Sequence, residues 1–193
     1  MIGAGPPPQI RRIAVNTGGG DAPGLNAVIR AVTVSGLNPG WEWWGIRDGY
    51  NGLLQPDEYP EGGVLKLTRN RVSGITPLGG TILGTPNRGT RLHCPLRRKE
   101  GRVVDVDRSD ELVRIFRRHR IDALVAIGGD GSLQIASVLA RKGLRVVGVP
   151  KTIDNDLDKT VVTFGFDSAV SFATEATHRL ESTAQAHGPV MVA

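Results

Sequence analysis

The chain has 193 residues, 39% of them hydrophobic, and is therefore long enough to bury the core of one domain. Lysine and arginine (24) outnumber aspartate and glutamate (19), and the net charge of +5 suits an anionic ligand. A single cysteine excludes a disulfide framework and a zinc site built on paired cysteines. Because no stretch approaches the roughly 18 apolar residues of a membrane span, the sequence predicts a cytoplasmic protein without a membrane partner.

The first residues differ from the rest in composition. Residues 1–9 read MIGAGPPPQ, and residues 1–12 are predicted to form a flexible extension before a domain at 13–193. Residues 53–77 are rich in proline and glycine and are predicted to be irregular, and residues 92–107 to be a solvated connector. The apolar spacing predicts strands at 13–15, 42–46, 123–127, 146–149, 161–165 and 190–192, and helices at 25–34, 110–119, 132–142 and 168–184.

The most informative stretch runs from Ile121 to Asp156. Within it, 123–127 is a continuous apolar run, which fits a strand buried on both faces, as in a parallel sheet. A helical pattern and a second apolar run follow, so the stretch contains a βαβ unit. We therefore predict an α/β fold, a three-layer sandwich with a mostly parallel sheet and helices on both faces. In such sheets ligands bind at the carboxyl ends of the strands.

The loop after the first of these strands, residues 128–132 (GGDGS), is suited to phosphate. Its glycines allow a ligand to approach the backbone, and the helix that starts near Ser132 directs unpaired N–H groups at the same place. Asp130 would repel phosphate unless a cation lay between them, and Mg²⁺ commonly binds one or two carboxylates together with phosphate oxygens. The alternative interpretation is a tight turn with an ordinary helix cap.

Acidic residues follow the next strand. Thr152, Asp154 and Asp156 alternate with other residues, so in an extended segment their side chains would share one face. One carboxylate can then accept a proton from a substrate hydroxyl while the other positions a metal or that base. A solvated acidic loop is the alternative, but two such loops on neighbouring strands favour phosphoryl transfer.

A strand, a glycine loop and a helix also open the domain, where residues 17–24 read TGGGDAPG. This segment, together with GGDGS at 128–132 and PKTIDND at 150–156, resembles the phosphofructokinase family in motif, order and spacing. GIRDGYNGL and GGTILG, which lie between them, extend the resemblance. It implies transfer of the γ-phosphoryl group of ATP to the 1-hydroxyl of fructose 6-phosphate with Mg²⁺, in a protein that is a homo-oligomer at full length. Only the N-terminal half of the family sequence is matched.

The resemblance also implies a role for individual residues. Asp154 is the base, Asp156 supports the base or the metal, and Thr152 and Ile153 contact the sugar phosphate. Asp130 holds Mg²⁺. The residues implied to hold ATP are Gly20, Tyr50, Arg88, Gly129, Asp130, Gly131 and Ser132.

The phosphoryl donor depends on Gly131 and Lys151. ATP-using members of the family have glycine at both positions, whereas pyrophosphate-using members have aspartate and lysine. A side chain at position 131 would occupy the space of the α-phosphate, but Lys151 can swing aside on its flexible stem. The combination found here therefore favours ATP, with pyrophosphate as the alternative donor.

Two other functions remain open. The chain could be a non-catalytic, nucleotide-binding subunit, because the second half of the family sequence is not in it. Binding of nucleic acid through residues 97–99 and 114–120 is disfavoured, because acidic residues are interleaved with the basic ones.

Overall fold

The computed structural model describes residues 10–38, 40–86, 93–97 and 103–188. The strands are β1 (Arg12–Gly18), β2 (Glu42–Ile46), β3 (Val64–Leu67), β4 (His93–Arg97), β5 (Val103–Asp107), β6 (Ala123–Gly128), β7 (Arg145–Thr152) and β8 (Phe164–Gly165). The α-helices are α1 (Leu25–Leu37), α2 (Asn51–Leu54), α3 (Ser109–Arg118), α4 (Asp130–Arg141) and α5 (Phe166–His187), with a 3₁₀ turn at Pro56–Glu58. The predicted strand at 190–192 lies outside the described residues.

Six strands form one sheet in the order β3-β2-β1-β6-β7-β8. β1 pairs in parallel with β2 and β6, and β7 pairs in parallel with β6 and β8. β3 is antiparallel to β2 at the edge of the sheet. The sheet is therefore mostly parallel, as predicted from the unbroken apolar runs.

Helices cover both faces of this sheet, and each face has its own apolar core. Because successive side chains of a strand point to opposite faces, Val15 packs with Leu25 and Ile29 of α1 on one side. Ala14 packs on the other side with a cluster that includes Phe116 of α3 and Leu139 of α4. The predicted α/β fold is confirmed.

The structure corrects three predictions. Residues 64–67 form β3 within the stretch predicted to be irregular, because a four-residue edge strand shows too little alternation to be recognised. Residues 93–97 and 103–107 pair as an antiparallel two-stranded sheet where a solvated connector was expected. The strand predicted at 161–165 is limited to Phe164 and Gly165.

Helix α5 is the longest of the described helices, and most of its surface is exposed. Phe172, for example, is 74% exposed. No helix in the described part of the chain combines the length and the apolar character that a bilayer span requires.

Candidate functional site

The sheet has a topological switch point between β1 and β6. From β1 the chain continues to β2 on one side, whereas β6 continues to β7 on the other, and β1 and β6 themselves are neighbours. Gly18 and Gly128 are register partners at the carboxyl ends of these two strands. In doubly wound sheets such a crevice is where ligands bind.

A cavity of about 310 Å³ opens at this switch point. Its wall combines the end of β1, the second glycine loop (residues 128–132), the first turns of α4 and the turn before α2. The lining residues are Asn16, Gly18, Gly19, Gly49, Tyr50, Ala126, Gly129, Asp130, Gly131, Ser132 and Ile135. Residues of both glycine motifs therefore line one cavity.

Ser132 packs against both strand ends. A Cβ atom added to Gly18 would lie 2.5 Å from Ser132 Oγ, and one added to Gly128 would lie 2.5 Å from Ser132 Cβ. The Ser132 side chain thus fills space that only glycine leaves open. Gly131 differs, because a Cβ added there would meet no atom within 4 Å.

The amino terminus of α4 faces the cavity. Helix α4 begins at Asp130, directly after Gly129, so its first N–H groups and the positive end of its dipole lie at the cavity wall. The exposed Asp130 carboxylate accepts a hydrogen bond of 2.7 Å from Gln134 Nε2, one turn further along the helix. This bond orients the carboxylate and leaves its other oxygen for a cation.

Two side chains hold the carbonyl groups of the first glycine loop (residues 17–24). Thr85 Oγ1 donates to the carbonyl oxygen of Gly19, and Lys151 Nζ donates to that of Gly20. Lys151 is only 4% exposed; burial lowers its pKa, and the charge of Asp21 opposes part of this fall. Lys151 therefore points toward the first glycine loop and does not line the cavity.

The GGTILG segment lies against the same loop. Thr17 Oγ1 donates to the carbonyl oxygen of Gly84 at 2.8 Å and lies 3.1 Å from Thr81 Oγ1. Thr17 is fully buried. These contacts fix residues 81–85 beside the first glycine loop. Arg88, predicted to contact ATP, lies outside the described residues.

Tyr50 forms part of the cavity wall. It is buried, and this burial raises the pKa of its hydroxyl group, while a hydrogen bond to Asn16 opposes the rise. Asn16 is buried as well, and its Nδ2 donates to the carbonyl oxygen of Gly49 at 3.4 Å. Tyr50 thus belongs to a fixed wall and stays protonated at neutral pH.

The acid loop (residues 152–156) lies at the carboxyl end of β7, the strand that pairs with β6. The premise that it is extended is wrong, because β7 ends at Thr152 and Asn155 has a φ of 53°. Asp154 and Asp156 are exposed, and the Asp154 N–H donates to Thr152 Oγ1 at 3.1 Å. The loop therefore turns at the carboxyl end of β7, and its side chains do not continue the alternation of the strand.

Apart from Arg88 and Lys151, which are described above, the predicted site residues fall into three groups. Tyr50, Gly129, Asp130, Gly131 and Ser132 line the cavity. Thr152, Ile153, Asp154 and Asp156 stand on the adjacent strand end, and the carbonyl oxygen of Lys151 lies 3.5 Å from a Cβ added to Gly129. Gly20 is exposed in the first glycine loop and does not line the cavity.

Asn16 and Ile135 line the cavity but were not identified from the sequence. Asn16 carried a signal, because it is the polar residue that follows the apolar run of β1, two positions before the first glycine of the loop. Ile135 looked like any apolar position on α4. Among the described residues no group of three or more His, Cys, Asp or Glu side chains forms a metal cluster.

Known proteins resemble this chain closely. The phosphofructokinase family model matches residues 12–193. The ATP-dependent 6-phosphofructokinase 2 of Clostridium perfringens is 48% identical over 184 residues, which cover 95% of this chain and 49% of that protein. A pyrophosphate–fructose 6-phosphate 1-phosphotransferase of Amycolatopsis mediterranei is 47% identical over 182 residues, which cover 94% of this chain and 48% of that protein.

Solved structures show the same likeness. The phosphofructokinase from Saccharomyces cerevisiae superposes with a TM-score of 0.68 at 32% identity, covering 92% of this chain and 25% of that chain. The chain thus spans about half the length of the curated relatives that it matches.

Proposed function

This chain belongs to the phosphofructokinase family, and from that premise we propose that it takes part in ATP-dependent phosphorylation of fructose 6-phosphate to fructose 1,6-bisphosphate. One observation carries the proposal. The two glycine loops and the amino terminus of α4 line one cavity at the switch point, and the acid loop stands on the next strand end. An anion-binding cavity beside exposed carboxylates is the arrangement that phosphoryl transfer requires.

ATP would bind in the cavity at the switch point. Its phosphates would lie against the second glycine loop and the start of α4, where N–H groups and the helix dipole favour negative charge. The open space beside Gly131 supports this position, because a chain of three phosphates needs close access to the backbone. Tyr50 would close the wall on the side of the nucleoside.

The residues at the cavity fit Mg²⁺. Asp130 supplies an exposed carboxylate that Gln134 orients, and Mg²⁺ is usually held by one or two carboxylates, phosphate oxygens and water. Asp156 is a second exposed carboxylate on the adjacent loop. When bound, Mg²⁺ neutralises charge that develops on the phosphoryl oxygens.

The acid loop would supply the base. Asp154 would accept the proton of the 1-hydroxyl group while that oxygen bonds to the γ-phosphorus, and the bond from phosphorus to the β,γ-bridging oxygen breaks to release ADP. Thr152 and Ile153 would contact the sugar phosphate next to the base. Most of the rate should come from positioning and from stabilisation of charge.

A coupled assay of the purified chain tests the proposal directly. We expect Mg²⁺-dependent ATP binding by isothermal titration calorimetry and formation of fructose 1,6-bisphosphate. Asp154→Asn should abolish the product but preserve ATP binding, whereas Asp158→Asn, which removes a nearby exposed carboxylate, should preserve both. Equal activity of wild type and Asp154→Asn would refute the role of Asp154. ATP binding without any product would favour the non-catalytic subunit.

Pyrophosphate is the second candidate donor. It is favoured by Lys151 and by the relative whose name specifies pyrophosphate. In the structure Lys151 donates to Gly20 and does not line the cavity, which supports ATP. Faster turnover with pyrophosphate than with ATP in the same assay would reverse this assignment. We also expect a homo-oligomer that acts in the cytoplasm, and light scattering of the intact protein would test its assembly.

A further inference from the structure

The acid loop is tied to residues that follow it in the sequence. Asn155 Oδ1 accepts a hydrogen bond of 3.0 Å from the Thr163 N–H, and Asn155 Nδ2 donates to the carbonyl oxygen of Val161 at 3.4 Å. Thr163 Oγ1 donates to the carbonyl oxygen of Thr152 at 3.0 Å. Thr163 therefore bonds to the loop that carries Asp154 at two points, at Thr152 through its hydroxyl group and at Asn155 through its N–H group.

Both residues are suited to this task. Asn155 has a φ of 53°, a left-handed conformation that asparagine tolerates better than most residues. Thr163 is only 2% exposed, although Val161 and Val162 beside it are 90% and 52% exposed. A buried hydroxyl group in an otherwise exposed segment indicates that its hydrogen bond, rather than apolar packing, determines its position.

The segment after Thr163 also contacts the first glycine loop. Gly165 has a φ of 112°, and a Cβ added to it would lie 3.0 Å from Ala22 Cβ, 3.2 Å from the Thr152 carbonyl oxygen and 3.4 Å from that of Pro23. Residues 163–165 thus touch the acid loop and the first glycine loop at once. They connect the two loops that must act on the same phosphoryl group.

We propose that Asn155 and Thr163 are positioning residues, which hold the acid loop so that Asp154 faces the phosphoryl group bound at the switch point. This inference rests on the proposed function for its catalytic consequence. Neither residue contacts the reacting atoms in this assignment. Loss of the link should therefore lower kcat, because a misplaced base loses rate steeply, and should leave KM for ATP unchanged.

Matched variants separate the link from general stability. Thr163→Val removes the hydroxyl group at nearly constant volume, and Thr163→Ser retains it. Asn155→Gly keeps the left-handed backbone accessible but removes both side-chain hydrogen bonds. Thr160→Val is the control, because Thr160 Oγ1 donates to the carbonyl oxygen of Leu157 and not to the acid loop.

Two measurements on the purified chain decide the matter. Backbone ¹⁵N order parameters of residues 153–156 should fall from about 0.85 to below about 0.6 in Asn155→Gly and Thr163→Val, but not in Thr160→Val. In the coupled assay, kcat should fall about tenfold at constant KM for ATP, which corresponds to about 1.4 kcal/mol and lies within the usual contribution of one hydrogen bond. Thr163→Ser should restore both values.

Three results would overturn the inference: unchanged order parameters in Asn155→Gly and Thr163→Val, equal loss in Thr163→Ser and Thr163→Val, or a rise in KM for ATP that matches the fall in kcat. A wild-type chain that forms no fructose 1,6-bisphosphate would instead contradict the proposed function. The order parameters would then still decide whether Asn155 and Thr163 fix the loop.

Discussion

Ser132 Oγ would lie 2.5 Å from a Cβ atom added to Gly18, so the serine on α4 leaves no room for a side chain at the end of β1. This contact joins the first and second glycine loops where β1 and β6 end side by side. Because added Cβ atoms at Gly18 and Gly128 would both meet Ser132, these two strand ends must carry glycine where α4 begins. The cavity depends on this close approach.

This packing predicts a selective rescue. Gly18→Ala should destabilise the chain by about 1–3 kcal/mol through overpacking, and Ser132→Ala should recover most of that loss by removing the hydroxyl group. Gly128→Ala should not be rescued by Ser132→Ala, because its clash is with Ser132 Cβ and with the Gly18 carbonyl oxygen. Urea unfolding of the wild type, Gly18→Ala, Gly128→Ala, Ser132→Ala and the two double variants measures these differences. Gly20→Ala, where an added Cβ meets nothing within 4 Å, is the control.

A second prediction concerns the donor. Gly131→Asp should weaken ATP binding about tenfold or more, because the new carboxylate would stand among phosphates in a space that is now open. Use of pyrophosphate should suffer much less, since pyrophosphate has no α-phosphate to displace. Ala140→Asp, on an exposed turn of the same helix, controls for added charge. Equal losses with both donors would contradict the steric explanation.

The third prediction concerns Asp130. Asp130→Asn should lower the affinity for ATP in the presence of Mg²⁺, by about tenfold if the carboxylate is a direct ligand. Affinity for ATP without Mg²⁺ should stay the same or increase, because a negative charge near the phosphates is removed. Calorimetric titrations with and without Mg²⁺ measure both values. A parallel fall in both conditions would show that Asp130 acts only on helix α4.

The fourth prediction follows from the lowered pKa of Lys151. Between that lowered pKa and the ordinary value of 10.5, the unfolded chain binds more protons than the folded one, so folding stability rises with pH. We expect the free energy of unfolding of the wild type, relative to Lys151→Met, to increase as the pH rises toward 10.5 and to level off above it. Tyr50 and Tyr59, whose pKa values are raised by burial, are present in both chains and cancel. A flat or falling difference would place the Lys151 ammonium in solvent.

Much of the fold was predictable because its signals are local. The apolar run at 123–127 became β6 with one added residue, and the helix before Gly143 became α4. The edge strand β3 and the pair β4 and β5 were missed, because short strands stabilised by pairing carry little periodic signal. Their pairing depends on partners that are distant in sequence.

The site was predictable in its composition but not in its geometry. Both the second glycine loop and the acid loop were expected at the carboxyl ends of neighbouring parallel strands, where β6 and β7 end. It did not reveal that Asn155 turns the acid loop, that Thr163 holds it, or that Lys151 is buried against Gly20. Each of these features involves a hydrogen bond from a side chain to the backbone of a residue several positions or more away in the sequence.

Thr85 and Lys151 hold the carbonyl groups of Gly19 and Gly20. In a trans peptide unit the N–H group points opposite to the carbonyl group, so the Gly20 N–H group points away from Thr85 and the Asp21 N–H group points away from Lys151. If an anion binds at this loop, as expected for Gly20, little backbone entropy remains to be lost on binding. We expect association close to rigid-body docking, with a rate set by diffusion and charge rather than by slow rearrangement of the loop.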